Sequence, residues 1–281
     1  MLCASAIACL RHIEDYPTRY WRLFPPEGFP STVFSATAMV TAFTSPGTPP
    51  AQLRVAVRSA IWVFAADWLV DHVAQSTQDI RMLAEDCLDA VAPAPSTQGR
   101  SDLAQLLREQ VYDEIATASA FPAVQDLWRT ELRRYWASCQ HEWEWGRLGR
   151  GAAATLDDYL ADTDNFGSMV VNLSHWITQI PAHRTDCIPL LLDVSRIVQR
   201  ILRLLNDLAT HHREHGTGDV NAILLGFTPS EVNDRITTLI DEFDTAVAVH
   251  DSCCPEQAQY LRRQTHWCRG FYSATDFRTT P

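Results

Sequence analysis

Apolar residues recur at spacings of three and four positions along most of this chain, and the alternation typical of strands is scarce. Prolines interrupt the pattern at intervals of about one helix length. The pattern predicts helices over residues 31–43, 50–75, 77–92, 101–118, 122–146, 156–178, 187–214, 229–250 and 255–272. The loop at 93–101 is too short to link two domains, so we expect one all-α domain over residues 1–281.

The longest predicted helices are apolar around much of their circumference. Hydrophobic residues make up 46% of the chain, which is enough to bury a sizeable core. A helix with so broad an apolar surface belongs at the centre of a bundle or around a cavity.

Polar side chains appear where the helix over 187–214 is still expected to be buried. After the apolar run "IVQRILRLL", Asn206, Thr210 and Glu214 follow one another at four-residue spacing. They form one stripe along the helix, with neighbours ~6 Å apart. An amide oxygen, a hydroxyl and a carboxylate are hard ligands suited to Mg²⁺.

Two other interpretations of this stretch are open. A helix end that emerges into solvent would also carry polar residues, although the apolar run before them argues against it. His211 and His215 stand four residues apart, a spacing that zinc can use, but neither a third ligand nor a general base accompanies them. Arg203 and Arg213 flank the stripe and are placed to contact an anion that a metal would hold.

A second pair of carboxylates lies in "IWVFAADWLVDHV", residues 61–73. Asp67 and Asp71 are four residues apart on a segment that is otherwise largely apolar. Two carboxylates on such a face repel each other and lose solvation unless a cation joins them. The alternative is that both face solvent while their neighbours pack inward. Because the chain carries a second stripe of oxygen ligands, we favour a metal site.

The stretch "TLDDYLADTDNFGSMVVNLSHWI", residues 155–177, begins with a helix cap. Thr155 followed by Asp158 is the pattern of an N-terminal capping box. The adjacent pair Asp157 and Asp158 is therefore assigned to the cap and is not expected to bind metal. Gly167 is a candidate break in the helix, and a break would direct backbone carbonyls toward a cavity. From composition alone, close packing of two helices explains this glycine more simply.

Charge restricts the ligands that the chain can bind. The net charge of −11 argues against a nucleic-acid partner, and a polyanionic ligand would need divalent cations as a bridge. All 23 basic residues are arginine, which excludes a Schiff-base lysine and a phosphate-binding loop lysine.

The chain carries no sign of an oxidising or membrane environment. Its eight cysteines show no CxxC spacing, which favours free thiols in a reducing compartment. The N-terminal segment lacks the basic region of a signal peptide, and no apolar run reaches the roughly 18 residues of a membrane span. We expect a soluble cytoplasmic protein.

Taken together, these stretches resemble the motifs of the class I terpene synthases. The later helix matches the family's N-D-x-x-[ST]-x-x-x-E motif in full, at Asn206, Asp207, Thr210, Arg213 and Glu214. The following "EHGTGDVNAILL" is similar to the family's continuation of that motif. The aspartate motif is represented by Asp67 and Asp71, with Ala66 where a preceding aspartate would stand.

Two departures from the family pattern bear on the substrate. Bacterial sesquiterpene cyclases carry a diphosphate-sensing arginine four residues after a tyrosine that corresponds to Tyr159, and that place is Thr163 here. "YLADTDNFGS" looks more like the kaurene-synthase-like enzymes, and "FYSATDFRT" keeps only Arg278 of the usual C-terminal Arg-Tyr pair. Both departures favour the labdane-related diterpene synthases, which take a bicyclic diphosphate.

The resemblance implies a helical bundle around a deep apolar pocket, in which three Mg²⁺ ions hold a prenyl diphosphate. The implied metal ligands are Asp67, Asp71, Asn206, Thr210 and Glu214. The implied diphosphate contacts are Arg213, Arg203 and Arg278. The implied pocket residues are Phe64, Thr163, Phe166 and Gly167. Homodimers are frequent in the family, and the sequence neither supports nor excludes one.

The resemblance thus implies a carbon–oxygen lyase that acts on a copalyl-type C20 diphosphate and yields a diterpene. One alternative within the family is direct cyclisation of geranylgeranyl or farnesyl diphosphate, the latter giving a sesquiterpene. An alternative outside enzymology is a helical ligand-binding or regulatory protein.

Overall fold

A computed structural model describes residues 2–96, 100–148, 155–215 and 219–278. These residues form helices and connecting turns, with no strand among them. The longer helices are α1 Leu2–Leu10, α2 Ser31–Thr44, α3 Pro50–Trp68, α4 Thr77–Ala90, α5 Asp102–Leu107, α6 Phe121–Leu148, α7 Leu156–Thr163, α8 Ser168–Gln179, α9 Cys187–Glu214, α10 Pro229–Ala248 and α11 Pro255–Tyr272. Short helical turns cover Tyr16–Arg19, Asp113–Ile115, Ala182–Arg184 and Ala222–Leu225. The all-α prediction is confirmed.

The predicted bounds agree with the structure where the apolar period is strong. Helices α9 and α11 begin and end at the predicted residues. The predicted helix over 156–178 is instead divided into α7 and α8, because the chain turns between them. The predicted helix over 50–75 ends earlier, since α3 is followed by a π-helical turn over Leu69–Val73.

Side-chain caps explain where several helices begin. The Thr155 hydroxyl accepts a hydrogen bond from the Asp158 backbone N–H at 3.1 Å, as the capping pattern predicts. Thr228 and Glu231 form a full capping box at the start of α10. Prolines occupy the first position of α3, α10 and α11, where a missing backbone N–H costs nothing.

The core lies between layers of packed helices. Helix α3 packs against α8, and α9 packs against α10 and α11, while α2 packs against α1 and α11. Trp62 of α3, Trp128 and Trp136 of α6 and Trp176 of α8 are among the largest fully buried side chains. Helices α2, α3, α8, α9 and α11 leave a space between them, and that space is the cavity described below.

All eight cysteines are free thiols in the structure. Six of them are buried, Cys253 is half-buried and Cys3 is exposed. No described helix is long and apolar enough to cross a membrane.

Candidate active site

A cavity of about 490 Å³ lies between the central helices. Its apolar wall consists of Val40, Ala56, Ala60, Val63, Phe64, Phe166, Val171, Leu202 and Phe277. The mouth is marked by Asp67 and Arg213, whose side chains are 48% and 38% exposed. The deep end is marked by Thr41 and Gln264, each 7% exposed. The cavity therefore runs from a charged mouth into an interior closed to solvent.

One wall of the mouth carries Asp67 and Asp71, from the end of α3 and the π-helical turn after it. Asp67 accepts a hydrogen bond of 2.9 Å from Arg278. Desolvation raises the pKa of Asp71 well above its usual range, and the carboxylates of Asp67, Asp219 and Glu142 act in the same direction. Arg278 has the opposite effect on that pKa. The wall thus concentrates more negative charge than its arginine neutralises.

The opposite wall is the polar stripe of α9. Asn206 and Glu214 line the cavity, while Thr210 lies buried between them and its hydroxyl donates to the Asn206 carbonyl at 2.9 Å. Asn206 also donates to the Tyr272 hydroxyl at 3.4 Å. Asn221 donates to the Glu214 carboxylate at 2.9 Å. Desolvation raises the pKa of Glu214, and the amide of Asn221 lowers it again in part.

Asp207 turns away from the stripe into a buried ionic network. Its carboxylate accepts from the Tyr159 hydroxyl at 2.8 Å and lies 3.3 Å from the Arg203 guanidinium. Arg203 also donates to the Tyr159 hydroxyl at 2.6 Å, to Glu142 at 2.9 Å and to the Val220 carbonyl at 2.6 Å. Arg203 lines the cavity, but these four partners make it a brace between α6, α7 and α9. Its contact with a ligand anion stays a prediction.

Two further arginines lie at the mouth. Arg213 approaches Glu214 at 3.5 Å and Asp276 at 3.9 Å. The Arg278 side chain is held by Asp67, and its backbone N–H donates to Asp276 at 2.6 Å. The segment after α11 therefore lies over the mouth, where its Arg278 contacts the Asp67 wall and its Asp276 faces Arg213 of α9.

The break between α7 and α8 arises at Gly167. Its φ of +98° is a conformation that residues with a side chain rarely adopt. A Cβ at this position would lie 2.5 Å from Cγ1 of Val63 on α3. The absence of a side chain at Gly167 therefore permits both the close packing of α8 against α3 and the turn between α7 and α8. Phe166 and Gly167 line the cavity, and the Gly167 carbonyl accepts from the Val171 N–H at 3.3 Å.

Thr163 is not among the residues that line the cavity. It is fully buried, and its hydroxyl donates to the Tyr159 carbonyl at 2.8 Å, one turn earlier in α7. The expectation of a pocket role for Thr163 is therefore corrected by the structure, because the hydroxyl is satisfied within its own helix. The two histidines of the earlier zinc hypothesis, His211 and His215, do not line the cavity either.

Several cavity residues were missed from sequence. Glu142 and Trp143 come from α6, Phe277 follows α11, and Gln264 and Tyr260 lie on one face of α11. Phe277 packs 5.1 Å from Phe64 between ring centroids, so it belongs to the same aromatic wall. The four-residue spacing of Tyr260 and Gln264 is the one signal in the sequence that could have marked them.

The donor set fits a divalent metal. Oxygen ligands dominate both walls of the mouth, and Asp71 lies where burial first and neighbouring carboxylates second raise its pKa. Among the described residues, no three His, Cys, Asp or Glu side chains already surround one point. Ions at this mouth would therefore be held jointly by a wall and by an anionic ligand between the walls.

A helical bundle of this kind has the fold of the class I terpene synthases. The sequence model of terpene synthase family 2, C-terminal metal binding, matches residues 58–226, which is more than half of the chain. The matched segment includes Asp67 at the end of α3, Asp71 in the turn after it and the stripe of α9. The chain therefore belongs to terpene synthase family 2.

One relative is the ent-pimara-9(11),15-diene synthase of Streptomyces sp. (strain KO-3988), which is 24% identical over 266 residues, 92% of this chain and 89% of the relative. The 2-methylisoborneol synthase from Streptomyces coelicolor A3(2), solved with Mg²⁺ and 2-fluoroneryl diphosphate, has 18% identity and a TM-score of 0.69 over 96% of this chain and 90% of that one. The linalool/nerolidol synthase from Streptomyces clavuligerus, in complex with 2-fluorogeranyl diphosphate, has 17% identity and a TM-score of 0.66 over 96% and 97% of the two chains.

Proposed function

We propose that this terpene synthase is a Mg²⁺-dependent diterpene synthase that ionises a copalyl-type bicyclic C20 diphosphate and cyclises or rearranges the carbocation. One observation carries the proposal: carboxylates and arginines line one end of a cavity whose other walls are largely apolar. A ligand with a polyanionic head and a hydrocarbon body needs that division of polarity. The relative named as a diterpene synthase, similar over 92% of the chain, supports the C20 class.

In this proposal both walls of the mouth hold Mg²⁺, three ions by the family resemblance. The ligands are Asp67 and Asp71 on one side and Asn206, Thr210 and Glu214 on the other. When bound, the ions stabilise negative charge on the departing diphosphate. The carboxylates position them, and the Asn221 amide holds Glu214 in place for that task.

The arginines orient the diphosphate. Arg213 and Arg278 lie at the mouth and supply charge-assisted hydrogen bonds to an oxyanion. Arg203 acts mainly by fixing Glu142 and Tyr159, and so keeps the α9 wall in register with α6.

The interior protects the carbocation. Phe64, Phe166 and Phe277 exclude bulk water and present ring faces that attract a cation. The close approach of Gly167 to Val63 brings α8 against α3 and shapes this wall.

Incubation of the purified protein with copalyl, geranylgeranyl or farnesyl diphosphate, each with Mg²⁺, tests the proposal by mass spectrometry of the products. We expect cyclic C20 products from the copalyl substrate, none after chelation of the metal, and none from Glu214→Gln. Glu242→Gln on the surface of α10 is the matched control. Turnover of farnesyl diphosphate alone would contradict the C20 assignment.

A second candidate is direct cyclisation of geranylgeranyl or farnesyl diphosphate. It draws support from the structural neighbours, which were crystallised with analogues of shorter prenyl diphosphates. The same substrate panel separates it from the first.

A further inference from the structure

The deep part of the cavity carries polar groups that ionisation of a diphosphate does not require. Ser168, Gln264 and Tyr260 line the cavity, and Gln264 and Tyr260 are each 7% exposed. A pocket that only had to shelter a hydrocarbon cation would be lined there by apolar side chains. Hydroxyl and amide groups in this position can form hydrogen bonds to a polar ligand.

The hydrogen-bonding capacity of this region is only partly used. Asn172 donates to Ser195 and Gln264, and it accepts from Tyr260 and Gln264, so it is fully satisfied. Gln264 forms its reciprocal amide pair with Asn172 and keeps one N–H and one oxygen lone pair for the cavity. The Ser168 hydroxyl is buried and has no partner among the described residues. An unpaired buried hydroxyl is unfavourable, and a bound water would give it a hydrogen-bond partner.

The spacing of these groups suits one water molecule. Ser168 and Asn172 are four residues apart on α8, so they lie on one face of the helix with a rise of ~6 Å between them. The Gln264 amide accepts a hydrogen bond from Asn172 at 3.2 Å, so Gln264 lies beside Asn172 and about one helical turn from Ser168. A water molecule between Ser168 and Gln264 would form one hydrogen bond of about 2.8–3.0 Å to each, and the two bonds together span about the same length.

We propose that Ser168 and Gln264 hold a water molecule that captures the carbocation, so that the enzyme forms a cyclic terpene alcohol. This inference rests on the proposed function. The water oxygen forms a C–O bond with the cationic carbon, and the resulting oxonium ion loses a proton to the diphosphate released by ionisation. The sum is prenyl diphosphate plus water giving alcohol plus hydrogen diphosphate.

The position of the water predicts which carbon it reaches. Gln264 lies eight residues before Tyr272 on α11, and Tyr272 contacts Asn206 at the mouth. Eight residues of helix correspond to roughly 12 Å. When water adds, the positive charge has therefore moved away from the carbon that carried the diphosphate. The hydroxyl of the product then lies on a ring carbon.

Reaction in H₂¹⁸O tests the proposal on the wild-type protein. We expect a cyclic alcohol with one ¹⁸O atom on a ring carbon. A contaminating phosphatase would instead give the alcohol of the unchanged substrate skeleton, with unlabelled oxygen on the original diphosphate carbon. Hydrocarbon products alone, or a hydroxyl at the original diphosphate carbon, would overturn the proposal and leave the proposed function standing. Absence of any product from every diphosphate would defeat both.

Two substitutions assign the water to its partners. We expect Ser168→Ala to lower the ratio of labelled alcohol to hydrocarbon about tenfold, because one of two hydrogen bonds to the water is lost. Gln264→Leu should act in the same direction, and circular dichroism checks that it folds. Thr178→Val on α8, whose hydroxyl bonds the His175 carbonyl outside the cavity, should leave the ratio unchanged. An unaltered ratio in Ser168→Ala would overturn the assignment.

Discussion

Arg278 donates a hydrogen bond of 2.9 Å to the carboxylate of Asp67, although 211 positions separate the two residues along the chain. The guanidinium also lies 5.8 Å from the ring centroid of Trp68. The segment after α11 is thus fastened to the end of α3, directly over the mouth of the cavity. Under the proposed function, this pair would connect diphosphate binding to closure of the site.

Removal of the Arg278 cation should weaken substrate binding and ionisation together. We expect Arg278→Met to lower kcat/KM about 10–100-fold, corresponding to one or two charge-assisted hydrogen bonds. Steady-state kinetics with the preferred diphosphate measure it. Arg262→Met, which breaks a surface pair with Asp251, is the control. An unchanged kcat/KM for Arg278→Met would remove this arginine from the site.

Metal and diphosphate should stabilise the protein only as a pair. At a ligand concentration of 100 times Kd, binding adds about 2.7 kcal/mol to the free energy of unfolding. We therefore expect Mg²⁺ with inorganic diphosphate to raise Tm by several degrees, and Asn206→Ala to abolish the increase. Thermal unfolding with each component alone and with both measures this. The exposed Asn233→Ala should keep the full increase, and a retained shift in Asn206→Ala would argue against the α9 stripe as ligand.

The brace formed by Arg203 should contribute more to stability than any surface ion pair. Arg203→Met leaves the half-buried Glu142 and the buried Asp207 without their cation, which costs about 3–5 kcal/mol. Tyr159→Phe removes one hydrogen bond from the same network and should cost less. Urea unfolding gives both values. A cost below 1 kcal/mol for Arg203→Met would mean that the network is solvated.

A side chain at position 167 should destabilise the break between α7 and α8. Gly167→Ala must adopt φ near +98° and place Cβ against Val63, at a combined cost of roughly 2–5 kcal/mol. Val63→Ala in the same chain relieves the clash but not the backbone strain. We therefore expect the double variant to lose less free energy of unfolding than the sum of the losses of the two single variants, by about 1 kcal/mol or more. Strict additivity would contradict the close approach of α8 to α3.

The metal-free protein should lose stability as the pH rises from about 4.5 to 7. Desolvation raises the pKa of Glu142 to about 7 from 4.5, so the folded state holds a proton that the unfolded state has released. This contribution is fully present below pH 4.5 and is lost as the pH rises through 7. Between about pH 5 and pH 7.5 the wild type should lose about 2 kcal/mol more than Glu142→Gln. Parallel profiles of the two proteins would show that Glu142 is solvated.

The parts of the site that depend on one helix were predictable from sequence. The stripe of Asn206 and Glu214 follows from four-residue spacing on an apolar helix, and the bounds of α9 are those predicted. Thr163 was assigned to the pocket by counting from Tyr159, but which way a residue points near a helix end depends on how the chain leaves that helix. Glu142 and Gln264 were missed because their surroundings come from residues far away in the chain, and local periodicity carries no information about those.

The π-helical turn over Leu69–Val73 has a consequence for how the aspartate motif can change. The Ala74 N–H donates to the carbonyl of Leu69, five residues earlier. A turn closed in this way contains one residue more than an α-helical turn. Deletion of a single residue here would restore the regular helix and rotate everything after it by about 100°. The second carboxylate of the mouth would then leave the cavity. A change of length, with no change of residue type, would be enough to disable this wall.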